Sequence, residues 1–268
     1  MLTGIDHVVV AVRDLPAALA DVARLGLRVA PGGAVGGPTV NALAGLGGAY
    51  LELLALDPAH ADRLEPGSLA DALCAFLAAR EGLFYFALRS DDVAGDVARL
   101  RAGGATYRDP AAAGVALPDG TRRAWTVAGR PRPADLALPF LIEHDELVDG
   151  RPAWFARLGL AAPGPLGVRG IRALRVAVDD LATGVATFAR EYGLRADGAA
   201  VRLPGASIEL LAAAPRGPRE LVLDVADLAA ARAFLAGRGV ATTARPGGAL
   251  ALDPAAACGA RLVIASGR

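Results

Sequence analysis

The sequence has little cysteine, histidine or amide, and no lysine, and these shortages exclude several classes of protein. Of its 268 residues two are cysteine and three are histidine, lysine and glutamine are absent, and Asn41 is the single asparagine. Cys74 and Cys258 lack the close Cys or His neighbours that a zinc site needs, so we predict two free thiols in a reducing compartment. Arginine therefore carries all the side-chain positive charge apart from histidine.

Net charge is also missing, because Lys+Arg and Asp+Glu both total 28. A protein that binds nucleic acid through its phosphates is normally basic, so we expect neither a nucleic acid nor an anionic membrane surface as partner. No apolar run approaches the roughly 20 residues of a membrane span, and Met1 leads into a strand pattern instead of a signal peptide. The sequence therefore predicts a cytoplasmic protein whose partner is a small molecule.

Apolar residues are plentiful, and their order repeats along the chain. Hydrophobic residues make up 54% of the sequence and the mean hydropathy is +0.39, which is ample for a core. The segment from Gly4 to Leu15 returns without a gap from Gly170 to Leu181, and Leu51 to Ala55 returns as Ile208 to Ala212. The two halves thus share an opening and a closing strand, and duplication is the simplest explanation.

Each half begins with the same predicted pattern of elements. Leu15 to Leu25 and Leu181 to Tyr192 have apolar residues at helical spacing, with an aspartate before them in N-cap position and a glycine after them. Short strands on either side complete a β-α-β-β-β module. A less exact copy of the module follows in each half. The copy in the first half has a strand at 82–89, a helix at 91–102 and strands at 121–127 and 138–144. The copy in the second half has a strand at 219–225, a helix at 227–236 and strands at 249–252 and 261–265.

The predicted domain organisation follows from these four modules. They form two pairs, separated by a stretch rich in proline and glycine. We therefore place a first domain at 1–147, a linker at 148–167 and a second domain at 168–268.

The first half resembles a known family in the order and spacing of five segments. These are 5–15 (IDHVVVAVRDL), 38–43 (PTVNAL), 50–54 (YLELL), 82–92 (GLFYFALRSDD) and 138–145 (LPFLIEHD). Together they resemble the glyoxalase-like domain family of the vicinal oxygen chelate superfamily. The resemblance implies an α+β fold of two tandem domains, each of paired β-α-β-β-β modules that form an incomplete curved barrel; a homodimer is possible.

The resemblance also implies a divalent metal (Mn, Fe, Ni, Co or Zn), held by the first and last strands of each module. Carried over residue by residue, the ligand positions are His7, Glu52 and Glu143, and the two glutamates are also candidate catalytic residues. The fourth position falls on Tyr85, or on Phe84 after a one-residue slip, where metal-binding members often have histidine.

The residues themselves leave alternatives open at these positions. His7 and Glu52 lie in apolar strands, where each needs a polar partner, but a core histidine and a solvated glutamate are equally ordinary explanations. Glu143 and His144 are strand neighbours, so only one of them can face the barrel. If His144 does so, two histidines and one carboxylate would suit non-haem iron.

Other residues are predicted to line a substrate cavity in the first half, namely Asn41, Tyr85, Arg123 and Trp125. Arg123 could hold a carboxylate or phosphate of a small substrate. The Gly-rich segment 31–37 lacks the Lys-Ser/Thr of a phosphate loop and is predicted to be a turn or a mobile flap.

Two functions are therefore considered for the first half. One is a metal-dependent lyase, isomerase or dioxygenase that chelates adjacent oxygens of a small organic substrate. The alternative is a metal-free protein that binds or sequesters a small molecule. The second half contains no histidine, and Ala173 stands at the position that corresponds to His7. We therefore predict that the second half packs, or binds without metal.

Overall fold

Two curved eight-stranded sheets form the framework of the protein in the computed structural model, which describes residues 1–34, 37–116, 122–131, 135–145 and 150–267. The first sheet has the order β2-β3-β4-β1-β5-β8-β7-β6. Its strands are β1 (Leu2–Ala11), β2 (Val29–Ala34), β3 (Thr39–Gly45), β4 (Tyr50–Leu56), β5 (Gly82–Ser90), β6 (Ala111–Ala116), β7 (Arg122–Ala128) and β8 (Phe140–His144).

The second sheet repeats this plan in the order β10-β11-β12-β9-β13-β16-β15-β14. Its strands are β9 (Val168–Val178), β10 (Arg195–Asp197), β11 (Ala200–Leu203), β12 (Ala206–Ala212), β13 (Gly217–Val225), β14 (Thr242–Ala244), β15 (Leu250–Leu252) and β16 (Leu262–Ala265). In each sheet the two modules meet at their opening strands, which pair antiparallel. The fold predicted from the sequence, two tandem domains of paired modules curved into half-barrels, is confirmed.

In the described part of the chain, six α-helices accompany the sheets: α1 (Leu15–Arg24), α2 (Leu69–Ala79), α3 (Val93–Ala102), α4 (Gly150–Arg157), α5 (Leu181–Tyr192) and α6 (Leu228–Gly237). The predicted bounds of α1 and α5 hold to within one residue because capping aspartates fix their starts. Asp14 and Asp180 each accept a backbone N–H of the first turn. Within the described residues no helix is long and apolar enough to cross a membrane.

Several elements were not predicted. Strands β6 and β14 and helices α2 and α4 were missed. In the Gly-rich segment, residues 31–34 continue strand β2 and residue 37 lies in a bend before β3. Residues 35 and 36 and the predicted domain boundary at 147/148 lie outside the described residues. The interval proposed as a linker holds helix α4.

The two faces of the first sheet are covered differently, and this creates a cavity. Val8 and Val10 of β1 belong to the main core with helices α1, α3, α5 and α6, whereas Val9 and Ala11 face the concave side. Helix α2 packs on one part of the concave face. On another part of this face, Trp154 and Phe155 of α4 pack with Tyr50. The space left between these helices contains the candidate site.

A pair of buried tyrosines joins the two halves. The hydroxyls of Tyr107 and Tyr192 are 2.7 Å apart, and Tyr107 also donates to the carbonyl of Pro139 at 2.8 Å. Arg130, in the wall of the first-half cavity, forms an ion pair with Glu191 of α5. The second half therefore supports one wall of the cavity in the first.

Replacing Tyr192 by Phe is expected to lower the free energy of unfolding by about 1–3 kcal/mol, because the hydroxyl loses its bond to Tyr107 and its interaction with the Arg130 guanidinium, while Tyr107 keeps its bond to Pro139. Urea unfolding measures the change. An unchanged free energy of unfolding would mean that the hydroxyl pair contributes no stability.

Candidate active site

A cavity of about 430 Å³ opens on the concave face of the first sheet. Six of the seven predicted site residues line it: His7, Asn41, Glu52, Tyr85, Arg123 and Trp125. The seventh, Glu143, does not. Most of the wall is apolar, with Leu54, Val127, Phe140 and Ile142 between the polar groups, as is usual for a site that binds a small organic molecule.

A β-bulge in β1 brings two neighbouring residues into contact. The register between β1 and β5 shifts between Ile5 and His7, so Asp6 is the extra residue of the bulge. As a result the Asp6 carboxylate lies 2.8 Å from Nδ1 of His7, although alternation along a regular strand would point the two side chains apart. Both side chains are buried.

The imidazole of His7 is fixed by aromatic contacts and faces Glu52. Its ring stacks on Tyr50, with centroids 4.7 Å apart, and meets the edge of Phe140 at 5.3 Å. Nδ1 donates to Asp6, so the other ring nitrogen, Nε2, is directed to Glu52, whose Oε2 lies 3.4 Å away. His7 thus offers Nε2 to the cavity while a carboxylate holds its opposite side.

Asn41 orients the carboxylate of Glu52. Its Nδ2 donates to Oε1 of Glu52 at 2.5 Å, across the pairing of β3 with β4. One oxygen of Glu52 is therefore occupied by an amide, and the other is the one that faces His7.

The structure does not bring Glu143 to this group, which corrects its expected place as a third ligand. Strand β8 directs Phe140, Ile142 and His144 into the cavity and therefore Glu143 to the opposite face. There Oε2 of Glu143 accepts the backbone N–H of Val93 at 2.8 Å, at the first turn of α3. A carboxylate is favoured at that position because of the free N–H groups and the helix dipole.

His144 enters the cavity in place of Glu143, which is the alternative register considered from the sequence. Its Nε2 lies 3.3 Å from Oδ1 of Asp6, and its ring stacks on Trp154 of α4. Burial lowers the pKa of His144, although the Asp6 carboxylate opposes this shift. His144 is therefore held neutral near pH 7 and is directed to Asp6, not to Glu52.

Asp6 is the centre of this buried network. It is fully buried, and its second oxygen forms an ion pair with Nη1 of Arg151 at 2.8 Å. Burial alone would raise the pKa of Asp6, but hydrogen bonds from His144 and His7 and the charge of Arg151 hold it well below its usual range. Asp6 is therefore ionised and acts only as an acceptor.

The donor atoms do not make up a complete metal centre. His7 Nε2 and the Glu52 carboxylate converge, and the Asp6–His7 bond has the form that supports metal-binding histidines. Tyr85 and Ile142, however, occupy the cavity wall on the second module, and burial raises the pKa of the Tyr85 hydroxyl, which disfavours a phenolate. In the part of the chain that the structure describes, no three His, Cys, Asp or Glu side chains could hold one ion.

The corresponding face of the second half carries an ion-pair cluster. Arg175 of β9 donates to Glu209 at 2.9 Å and also pairs with Glu220, and Arg245 lies 3.6 Å from Glu220. Glu209 holds the position of Glu52, but its carboxylate is neutralised within its own sheet. That the second half packs, or binds without metal, stays a prediction.

Sequence reasoning missed Asp6, Arg151 and Trp154 as members of the site. The dipeptide Asp6-His7 inside an apolar strand was a usable signal, because two adjacent polar residues break the alternation of a buried strand. Arg151 and Trp154 had no comparable signal, since they lie in a segment that its proline and glycine content marked as linker.

Comparison with known proteins supports the architecture. The family model of the glyoxalase-like domain matches residues 5–192. No curated protein sequence matches significantly. A hypothetical protein from Staphylococcus aureus superposes with a TM-score of 0.66 at 12% identity, covering 98% of each chain.

Two solved enzymes have a similar fold at low identity. A triple mutant of 4-hydroxymandelate synthase from Streptomyces coelicolor gives a TM-score of 0.61 at 14% identity, covering 99% of this chain and 93% of its own. The Mn(II)-bound glyoxalase from Novosphingobium aromaticivorans gives 0.58 at 14%, covering 99% and 82%. At this identity the likeness concerns the fold. Because the family model matches residues 5–192, more than half of the chain, the chain belongs to the glyoxalase-like domain family.

Proposed function

We propose that the protein is an enzyme that moves a proton on a small organic carbonyl compound bound in the cavity of its first half. The observation that carries the proposal is the pairing of Glu52 with His7 Nε2, 3.4 Å apart on the cavity wall, with the ionised Asp6 behind His7. A carboxylate and an imidazole at this separation are suited to general acid–base catalysis.

In the proposed step, Glu52 takes a proton from the carbon next to the carbonyl group. The electron pair of the broken C–H bond forms a C=C bond, and the π electron pair of the carbonyl group moves to its oxygen and gives an enolate. The proton then passes from Oε2 of Glu52 to Nε2 of His7, and Asp6 stabilises the imidazolium that forms. Return of the proton to another atom gives an isomerase, and loss of a leaving group from the enolate gives a lyase.

The surroundings favour this chemistry over binding alone. Asn41 holds one oxygen of Glu52, and Tyr50 and Phe140 hold the ring of His7, so neither group has to reorganise during the transfer. The apolar walls keep water from competing with the substrate.

Proton exchange into solvent tests the proposal without knowledge of the natural substrate. Protein is incubated in D₂O with a panel of carbonyl compounds, including 2-butanone, 2-oxobutanoate and 2-oxo-4-phenylbutanoate, and the C3–H signal is followed by NMR. We expect at least one member to lose that signal faster than in buffer. Binding of the panel without any acceleration would contradict catalysis and favour the sequestration alternative.

A second candidate function is chelation of substrate oxygens by a divalent metal, as in the original expectation of a metal-dependent lyase, isomerase or dioxygenase. The convergence of His7 and Glu52 and the Asp6–His7 bond favour it. His7 and Glu52 supply two protein donors, one fewer than catalytic metal sites normally provide, so the proposed proton transfer uses no metal.

We accordingly expect metal-depleted protein to bind no stoichiometric Mn²⁺, Zn²⁺, Ni²⁺, Co²⁺ or Fe²⁺ through His7. Calorimetric titration and the Tm with and without each ion measure this, and His7→Ala serves as the reference. Stoichiometric binding that disappears in His7→Ala would contradict the expectation and restore the chelation mechanism.

The remaining expectations concern partners and location. We propose that the partner is a small molecule and not nucleic acid or membrane, that the protein is cytoplasmic, and that it forms a homodimer.

A further inference from the structure

We infer that the substrate carries a carboxylate that binds Arg123, which would make the enzyme specific for flat or unsaturated organic monoacids. The inference rests on the proposed function, because it names the substrate class of the same cavity. The observation behind it is that the guanidinium of Arg123 is buried without a carboxylate partner among the described residues.

Arg123 is held in place by two indole rings. Its side chain belongs to strand β7, is only 8% exposed, and lies with its guanidinium carbon 4.9 Å from the ring centroids of both Trp125 and Trp154. Trp125 comes from the same strand and Trp154 from helix α4. The aromatic contacts fix the plane of the guanidinium without using its N–H groups.

The charge of Arg123 has no carboxylate partner among the described residues. It forms no ion pair within 4 Å there, and its buried Nε atom has no hydrogen-bond acceptor. The neighbouring arginines differ. Arg130, in the cavity wall, pairs with Glu191, and Arg151, behind the wall, pairs with Asp6. Arg108 also lines the cavity but is exposed to solvent and donates to the carbonyl of Pro131. A buried guanidinium without a counter-ion is costly in a protein that has no use for it.

Among the described residues, Arg123 therefore presents to the cavity a buried, oriented cation without a carboxylate partner, which a monoanion would match. Burial lowers the pKa of Arg123, and the negative charges of Glu52 and Asp6 oppose this shift. A guanidinium remains charged at neutral pH in either case. A carboxylate is planar and accepts two parallel N–H bonds from a guanidinium. Trp125, Tyr85 and Phe140 line the rest of the cavity and would pack against a flat apolar body.

Paired probes test the inference through affinity alone. Benzoate and 2-naphthoate are compared with benzamide and 2-naphthamide, which have the same shape without the charge, and inorganic phosphate tests for general anion binding. Calorimetry or ligand-observed NMR gives each Kd. We expect each carboxylate to bind at least tenfold more tightly than its amide, and phosphate not to compete.

Variants assign that preference to Arg123. Arg123→Gln should remove the preference for the carboxylate, Arg123→Lys should keep part of it, and Arg24→Gln, at an exposed arginine of α1, should leave it intact. Equal binding of acid and amide by the unaltered protein would overturn the inference, as would a preference that survives Arg123→Gln or tighter binding of phosphate. Because affinity is measured without turnover, these outcomes are separate from failure of proton exchange, which would overturn the proposed function.

Discussion

Replacing Glu52 by Gln is expected to slow enzyme-dependent exchange of the substrate C–H proton by about 10²–10⁴-fold, the usual contribution of a general base. The amide has nearly the same shape but cannot take up a proton. The affinity for the carbonyl compound should change much less than the rate, because the cavity walls and Arg123 are unaltered. The measurement is the initial rate of deuterium incorporation at C3 together with Kd for the same compound.

The second half supplies a matched control for this variant. Glu209 holds the position of Glu52 in the second sheet but is neutralised by Arg175, so Glu209→Gln should leave the exchange rate unchanged. His7→Asn should slow exchange to a similar extent as Glu52→Gln. Exchange at the original rate in Glu52→Gln would remove this residue from the mechanism.

Replacing Asp6 by Asn is expected to have the largest effect on stability, about 3–5 kcal/mol of the free energy of unfolding at pH 7. The change removes the carboxylate that faces His7, His144 and Arg151, and leaves the buried guanidinium of Arg151 without its partner. Urea unfolding followed by circular dichroism gives the difference. The double variant Asp6→Asn/Arg151→Leu should recover part of the loss, since it no longer buries a single charge.

The effect of Asp6→Asn should also depend on pH. The pKa of Asp6 in the folded protein lies well below the ordinary value of 3.8, so its ionised form stabilises the fold above that pH and the contribution is lost as the pH falls towards the folded pKa. The difference between the two proteins should therefore narrow below about pH 4. A constant difference from pH 7 to pH 3 would contradict an ionised Asp6, and Glu65→Gln, at an exposed glutamate, serves as control.

The repeat made much of the fold predictable from the sequence. Capping aspartates and following glycines marked the helices after the opening strands, and the recurring strand patterns gave the modules. Helix α2 was missed because its buried positions, such as Leu73 and Leu77, lie in a nearly uniform Ala/Leu stretch with little helical contrast. Strand β6 was missed because Ala111 to Ala116 contain no bulky β-former before Val115.

The site was predictable up to the points where a strand departs from regular alternation. His7 and Glu52 were found because polar residues in apolar strands need partners inside the barrel. Asp6 was missed because the bulge in β1 arises from the pairing of β1 with β5. The sequence of β1 alone does not show how the two strands pair. The choice between Glu143 and His144 depended on the register of β8. The family pattern favoured Glu143, but its side chain accepts a backbone N–H of α3 on the opposite face of the sheet.

The central claim, that a small molecule meets His7 inside the first-half cavity, can be tested directly on the ring resonances of the three histidines. Protein labelled only at histidine is titrated with 2-naphthoate and observed by ¹H–¹⁵N NMR. His7 and His144 line the cavity, whereas His60 lies outside it and bonds to Asp57. The account predicts saturable shifts of the His7 resonances with His60 unchanged, and a titration that leaves His7 unmoved would contradict it.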